Sequence, residues 1–497
     1  LIVPLVAMVT PVWAAGANTG PGGVVQWDGS LQWMNDETPT PGELEGADNP
    51  MELYGTYERP ADDDFEYPEG AYGVQSWWDY GHWITTRAER IPNANPFQQN
   101  AGAAADYLLA PSEEASREVL ASQSTEGENT RYVMVDRQMA SPNSKFGAPV
   151  TFYSGNETRS DFNRVLYQQT QQGGVRTVMQ VNTQRYHESQ MIRLYEHYGS
   201  AVDPEPVVVD WEATGFQTAD GEVSINTIPS NPRATVRQFD NMTAAREYVA
   251  EDGSAQIGGI SNLPSERVDA LEHHRLVHAS QALGQSASAR QVQLLSQLVP
   301  EGTNTESLLG ESRFAAARDN FVKTFERVPG ATIEGSGAEA GQEVKATVQL
   351  EKPTGDTFEY TQYAEADQSG NFELTVPYST TGYDEFGPEN GYTNTSVRAT
   401  GPYNITTAET TDDDLYTTQN VGQVEVTEGQ VVGVDDAAAT VELEEEIVDC
   451  PAGDADCPIE QDDASGSGDD STSGNETASL AAAPIVAEAT AVADVSA

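Results

Sequence analysis

Three of the chain's seven tryptophans are Trp77, Trp78 and Trp83, and the first two stand directly before Asp79, Tyr80 and Gly81. Indole N–H groups need partners when buried. Two adjacent indoles beside one carboxylate can converge as two donors and one acceptor in a small polar cup. A hydroxyl both donates and accepts, so a single ligand hydroxyl would satisfy that cup. A core aromatic cluster uses the same residue types, and these residues alone leave both readings open. A second group comes after the strand-like run at 131–135: Asp136, then Met139, then Lys145. Lys145 is the only lysine before Lys323, in a chain that otherwise draws its positive charge from arginine. Asp136 falls just past the C-terminal end of a predicted strand, where α/β sheets commonly bind ligands. The bland alternative is an Asp N-cap beside a packing Met.

Other groups with reactive side chains form weaker patterns. His274 and His278 lie four apart on a predicted helix, a metal-ligand spacing without an evident third ligand. His187-Glu188 lacks the second His of a zincin motif. Asp62, Asp63 and Asp64 belong to an acidic background. There is no GxSxG, no P-loop and no plausible Cys nucleophile. No catalytic residue and no metal ligand is assigned within the chain.

The elements that must position these residues fall into two textures. From 65 to 327 the pattern is mixed α/β. Short apolar runs at 132–135, 175–181, 207–211 and 235–239 read as strands, with helical stretches between them. Ser112 before Glu113 and Glu114 marks a helix start, residues 185–198 read as a helix stopped by Gly199, and Pro264-Ser265 reads as the start of another carrying Val268, Leu271 and Leu276. From 328 to 445 apolar and polar residues alternate, as in 344–348 and 372–376, with a hairpin turn at Asp367 to Gly370. That predicts a small all-β sandwich. Residues 16–64 are Gly/Pro-rich and acidic and read as an exit segment or linker, with Trp27, Leu31, Trp33 and Met34 as anchors. Residues 446–497 cannot bury a core and are expected to be a disordered acidic tail. The apolar run at 1–15 reads as the end of a truncated transmembrane helix or as a clipped signal peptide. Both place the residues after it on the extracellular face.

The chain has 497 residues, 79 acidic and 25 basic, a net charge of -54. Like charges repel, so nucleic acid is excluded as a partner. With 38% hydrophobic residues the chain can still build cores, and the acids belong on folded surfaces. In molar salt the Debye length shrinks to about 3 Å and silences their repulsion, which points to a halophilic host. Cys450 and Cys457 either close a small disulfide loop or remain free thiols in the tail.

Trp77-Trp78-Asp79-Tyr80-Gly81 resembles the signature pentapeptide of oligosaccharyltransferase catalytic subunits. The flanking text YPEGAYGVQSWWDYGHWITTRAERIPNANPFQQN is similar to the archaeal AglB branch, and the resemblance continues through ALEHHRLVH and VPGATIEGSG to PYSTTGYDEFG. It implies that Trp77, Trp78, Asp79, Tyr80 and Gly81 bind the acceptor's Ser or Thr hydroxyl, two residues after the Asn. It also implies a helix with Asp, two residues, Lys, three residues, then Met or Ile. This chain departs from that form: Met139 stands where Lys is expected, so Asp136, Met139 and Lys145 are read as the equivalent trio, with Met139 suited to the extra methyl of Thr. The implied activity is transfer of a glycan from a dolichyl phosphate-linked oligosaccharide to Asn in Asn-X-Ser/Thr. Manganese or magnesium would be bound by a multi-pass membrane domain that this chain does not contain, so the fragment alone is expected to transfer no sugar. The alternative is a secreted or cell-surface glycan-binding or envelope protein of a halophile.

Overall fold

A computed structural model of the chain describes residues 22–40, 71–123, 129–218, 221–283, 296–301, 303, 319–411 and 416–450. The runs at 1–15 and 451–497, on which the membrane-helix and most of the acidic-tail expectations fall, lie outside them. Among the described residues no helix is long and apolar enough to cross a membrane.

The centre is a five-stranded mixed sheet. Its strands are β1 (Tyr72–Gln75), β2 (Ile91–Pro92), β3 (Asn129–Asp136), β4 (His274–Ala279) and β5 (Val322–Arg327), in the order β4-β5-β3-β1-β2. β1 is parallel to β2 and β3, while β5 is antiparallel to β3 and β4. Tyr132, Val133, Met134 and Val135 of β3 are wholly buried, which is why the run reads as near-continuous apolar sequence. Ser112 caps the helix Glu113–Gln123 as predicted, its Oγ accepting from the Ala115 N–H at 3.1 Å.

A second layer of β structure lies between residues 163 and 257: a four-stranded sheet from 163–169, 175–182, 212–218 and 221–227, and a three-stranded one from 207–210, 236–238 and 255–257. Beyond residue 330 the predicted alternation is realised. Strand Glu343–Glu351 buries Val344, Ala346, Val348 and Leu350 and turns the residues between them outward. It sits in a seven-stranded sheet that shares one core with the three-stranded sheet of Ala331–Ser336, Phe372–Val376 and Ala439–Glu442. The turn before Phe372 is made by Asp367 and Gly370, the latter at φ +78°. The sheet outlasts the predicted boundary at 445: Glu444–Asp449 pairs antiparallel with Thr417–Val424.

A buried ionic network joins the two regions. Arg275 on β4 donates to Glu326 on β5 at 2.8 Å and to Glu428 of the C-terminal region at 2.7 and 2.8 Å. Burial alone would raise Glu326, but Arg275 and Arg131 outweigh it and hold the carboxyl below its ordinary range.

Three local readings are corrected. Where a linker was expected, Gly22–Glu37 is a helix, α1, with Trp27, Leu31 and Met34 buried at helical spacing. The stretch after Pro264 forms no helix but leads into β4, whose six residues are all buried. A strand buried on both faces lacks the period-2 signal, so its apolar spacing misleads. The 185–198 helix is two, Gln184–Glu188 and Gln190–Tyr195, broken by the extended backbone of Ser189.

Candidate functional site

The pentapeptide continues from β1 through Ser76, whose Oγ donates to the Met134 carbonyl of β3 at 2.8 Å. The chain then turns through a single 3-10 turn, Trp78–Tyr80, into the short helical turns Gly81–Trp83 and Ile84–Ala88. Gly81 is required by close approach: a side chain there would collide with the backbone of Ala94 and Asn95. Trp77 is buried, edge-on to Phe152 with ring centroids 5.6 Å apart. Trp78 and Asp79 are partly exposed.

Lys145 reaches this turn from the second group. Its Nζ donates to Asp79 Oδ2 at 2.6 Å and to the Tyr80 hydroxyl at 3.0 Å. The unusual spacing after Met139 is absorbed by a tight loop in which the Lys145 N–H returns to the Gln138 carbonyl at 2.8 Å. Asp136 ends β3 and has two jobs. Its Oδ1 caps the helix Arg137–Ala140 by accepting from the Met139 N–H at 2.8 Å, and its Oδ2 accepts from Trp27 Nε1 at 3.0 Å. Burial first, then the charges of the nearby Asp136 and Asp79, push the Tyr80 phenol well above its ordinary value. Burial raises Asp136 as well, against the lowering effect of Tyr80, Met139 N–H, Trp27 and Lys145.

Two side-chain atoms of this cluster are buried with no protein partner: Trp78 Nε1, a donor, and Asp79 Oδ1, an acceptor. The two neighbouring residues are partly exposed, while the two atoms themselves are buried. Leaving such groups unmatched is costly, so a ligand that partners them here is favoured. A hydroxyl, which both donates and accepts, has the chemistry to match both.

All eight residues singled out in the sequence, Trp77, Trp78, Asp79, Tyr80, Gly81, Asp136, Met139 and Lys145, come together here. They divide by exposure. Trp78, Asp79 and Lys145 reach the surface, while Asp136 and Met139 are wholly buried and offer none to an acceptor in this conformation. Sequence reasoning missed two contributors. Trp27 stacks on Tyr80 at 4.2 Å and meets the edge of Trp83 at 6.0 Å. Arg90, also buried, donates to the carbonyls of Met34, Asn35 and Thr38 and so satisfies the open C-terminal end of α1. Helical spacing of Trp27, Leu31 and Met34 was the available signal for the first; nothing local marked the second.

The histidines serve elsewhere. His274 Nδ1 faces Glu113 and its Nε2 lies 3.0 Å from the Tyr107 hydroxyl. His278 stacks on Trp33 at 4.6 Å. They sit on a strand, not a helix, and the metal-ligand reading of their spacing falls with the helix. Among the described residues no group of three or more His, Cys, Asp or Glu side chains can hold a metal ion. Cys450 is disulfide-bonded.

The AglB core domain family matches residues 24–140, from α1 through Met139, and the archaeal glycosylation protein B long peripheral domain matches residues 330–435. Over 445 residues the chain is 50% identical to the dolichyl-monophosphooligosaccharide–protein glycotransferase AglB of Haloferax volcanii, covering 88% of this chain and 41% of that protein. The chain belongs to the AglB family. It is also 25% identical over 377 residues to dolichyl-phosphooligosaccharide-protein glycotransferase 3 of Archaeoglobus fulgidus, covering 71% of this chain and 38% of that one. The chain thus spans about two fifths of the length of these curated relatives. Its fold is like that of the oligosaccharyltransferase of A. fulgidus crystallised with Zn and sulfate, with a TM-score of 0.51 at 19% identity over 84% of this chain and 46% of that one. The same oligosaccharyltransferase, tethered to an acceptor peptide containing the NVT sequon, gives 0.51 at 20% identity over 84% and 43%. Lys145 lies beyond the end of the core-domain match, in keeping with its unusual spacing from Asp136.

Proposed function

We propose that this chain is the acceptor-recognition part of a membrane oligosaccharyltransferase, which transfers a glycan from a dolichyl phosphate-type carrier to Asn in Asn-X-Ser/Thr. The observation that carries the reading is the unmatched pair, Trp78 Nε1 and Asp79 Oδ1. The Ser or Thr hydroxyl of the acceptor accepts from the indole and donates to the carboxylate. Lys145 holds the other carboxylate oxygen, which fixes Oδ1 in the accepting position. A site built to satisfy a hydroxyl rejects a residue lacking one by a large factor, about 10⁴ in favourable cases, because its buried polar atoms are then left unpaired.

What this chain does is hold the acceptor in register, and positioning of that kind is worth several kcal/mol in a transfer step. The manganese or magnesium that the family uses does not fit the described residues, which offer it no ligand cluster. In this reading the ion, the lipid-linked donor and the transfer chemistry belong to a membrane domain preceding these residues, with this part on the extracellular face. The chain alone then binds acceptor weakly and transfers nothing. The reading is tested by Asp79→Ala in the full-length protein: transfer to sequon peptides should fall below detection while the thermal unfolding profile stays unchanged. Transfer at the parental rate would end this assignment.

A further inference from the structure

Helix α1 lies across the back of the acceptor cup and is fastened to it along its length. Asp28 pairs with Arg87, Asn35 Nδ2 donates to the Ala88 carbonyl at 3.2 Å, and Arg90 closes the C-terminal end. These three ties hold the helix to the segment just after the pentapeptide. Trp27, on the buried face, instead reaches the pentapeptide itself and Asp136. Its ring stacks on Tyr80, and its N–H is given to Asp136 Oδ2.

The contacts form an unbroken chain. Trp27 Nε1 donates to Asp136 and its ring stacks on Tyr80, the Tyr80 hydroxyl accepts from Lys145, and Lys145 holds Asp79 Oδ2. At the end of that chain stands Asp79 Oδ1, the unmatched acceptor. Asp136 is wholly buried and needs a donor on each oxygen. The Met139 N–H serves one and Trp27 the other. Without the indole N–H, Oδ2 loses that donor, and the buried carboxylate must draw on the polar groups beside it, Tyr80 among them.

We propose that Trp27 is a positioning residue for acceptor recognition: through Asp136, Tyr80 and Lys145 it sets the carboxylate of Asp79 that receives the acceptor hydroxyl. The inference rests on the acceptor-recognition reading above. It makes the cup a composite of α1 and the pentapeptide turn, two segments separated in sequence by the run at 41–70. Trp27 is buried behind the pentapeptide turn, and its effect passes through its N–H on Asp136 and its ring on Tyr80.

The test uses the full-length protein in membranes, with sequon peptides and lipid-linked donor. Trp27→Phe keeps a stacking ring and removes the N–H. It should raise the peptide KM about tenfold, the scale of a buried charged group losing one donor, with kcat little changed. In an Asp136→Asn background the same substitution should add nothing, because the oxygen it serves has lost its charge. A residue that merely packs would give losses that add, and additive losses or an unchanged KM would overturn the proposal. Should Trp27→Phe fail to fold, the comparison of Asp136→Asn with Lys145→Met decides: the transmitted effect requires both to raise KM, and an unchanged KM in either refutes it. Asp79→Ala is run beside them. If that variant transfers normally, the acceptor reading itself is wrong. If it is dead while Trp27→Phe is normal, only the role of Trp27 is.

Discussion

Lys145 Nζ lies 2.6 Å from Asp79 Oδ2, across 66 residues of chain, and 4.3 Å from the centre of the Tyr80 ring. Both side chains of the pair are about a third exposed, 32% and 29%. A pair so open to solvent contributes little to stability, about 1 kcal/mol or less. Its value lies in geometry, since it leaves Asp79 Oδ1 free to accept. Lys145→Met should therefore leave the unfolding midpoint nearly unchanged and raise the peptide KM about tenfold, the effect of losing one charge-assisted contact. Unfolding and steady-state transfer, measured on the same preparation, separate the two. A large loss of stability with unaltered KM would assign Lys145 to the scaffold.

Met139 sits in the central core cluster and is wholly buried. Met139→Ala should destabilise the protein by about 2–5 kcal/mol, the usual range for emptying a core site. If the side chain also backs the pocket that takes a Thr methyl, the same variant narrows the preference for Thr over Ser by a few-fold, the worth of about one buried methyl. Competing transfer to matched Ser and Thr peptides reads the second effect, and chemical denaturation the first. A shifted ratio without lost stability would mean that Met139 opens to the surface when peptide binds.

Glu113 is buried against β4, where it accepts from the backbone N–H groups of Glu272 at 2.7 Å and His273 at 3.1 Å and faces His274 Nδ1. Burial works to raise its carboxyl, but these donors outweigh it and hold the pKa down to about 2 from 4.5. A carboxyl depressed on folding contributes stability above its ordinary pKa and loses it as the pH falls through the folded value. The window is therefore pH 4.5 down to about 2, and the loss is about 3 kcal/mol. His187 and His278, which burial holds neutral down to about pH 3, add a loss of the same sign that begins higher, below their ordinary 6.5. Glu113→Gln should flatten the decline below pH 4.5 and leave the part due to His187 and His278 intact. Thermal unfolding across pH 2–7 at fixed high salt checks it, and parallel curves for the two proteins would refute it.

The chemistry of the cup was legible in the sequence because it is local. Trp77, Trp78 and Asp79 are neighbours, and their donors and acceptors derive from residue type alone. Strand Glu343–Glu351 was equally legible, since one buried face writes a period of two into the chain. What the sequence left open was decided by which elements meet. Trp27 serves Asp136 from 109 residues away, and no periodicity encodes such a partner. Lys145 reaches Asp79 only because the loop after Gln138 folds back, and Arg90 caps a helix that lies 52 residues before it. His274 and His278 became strand residues because β4 is covered on both sides, which erases the alternation that marks a half-exposed strand. Local order is set by propensity and by the period of burial. The pairing of distant polar groups is set by packing, which satisfies each buried donor and acceptor wherever the chain can bring a partner, and here it left Trp78 Nε1 and Asp79 Oδ1 unmatched.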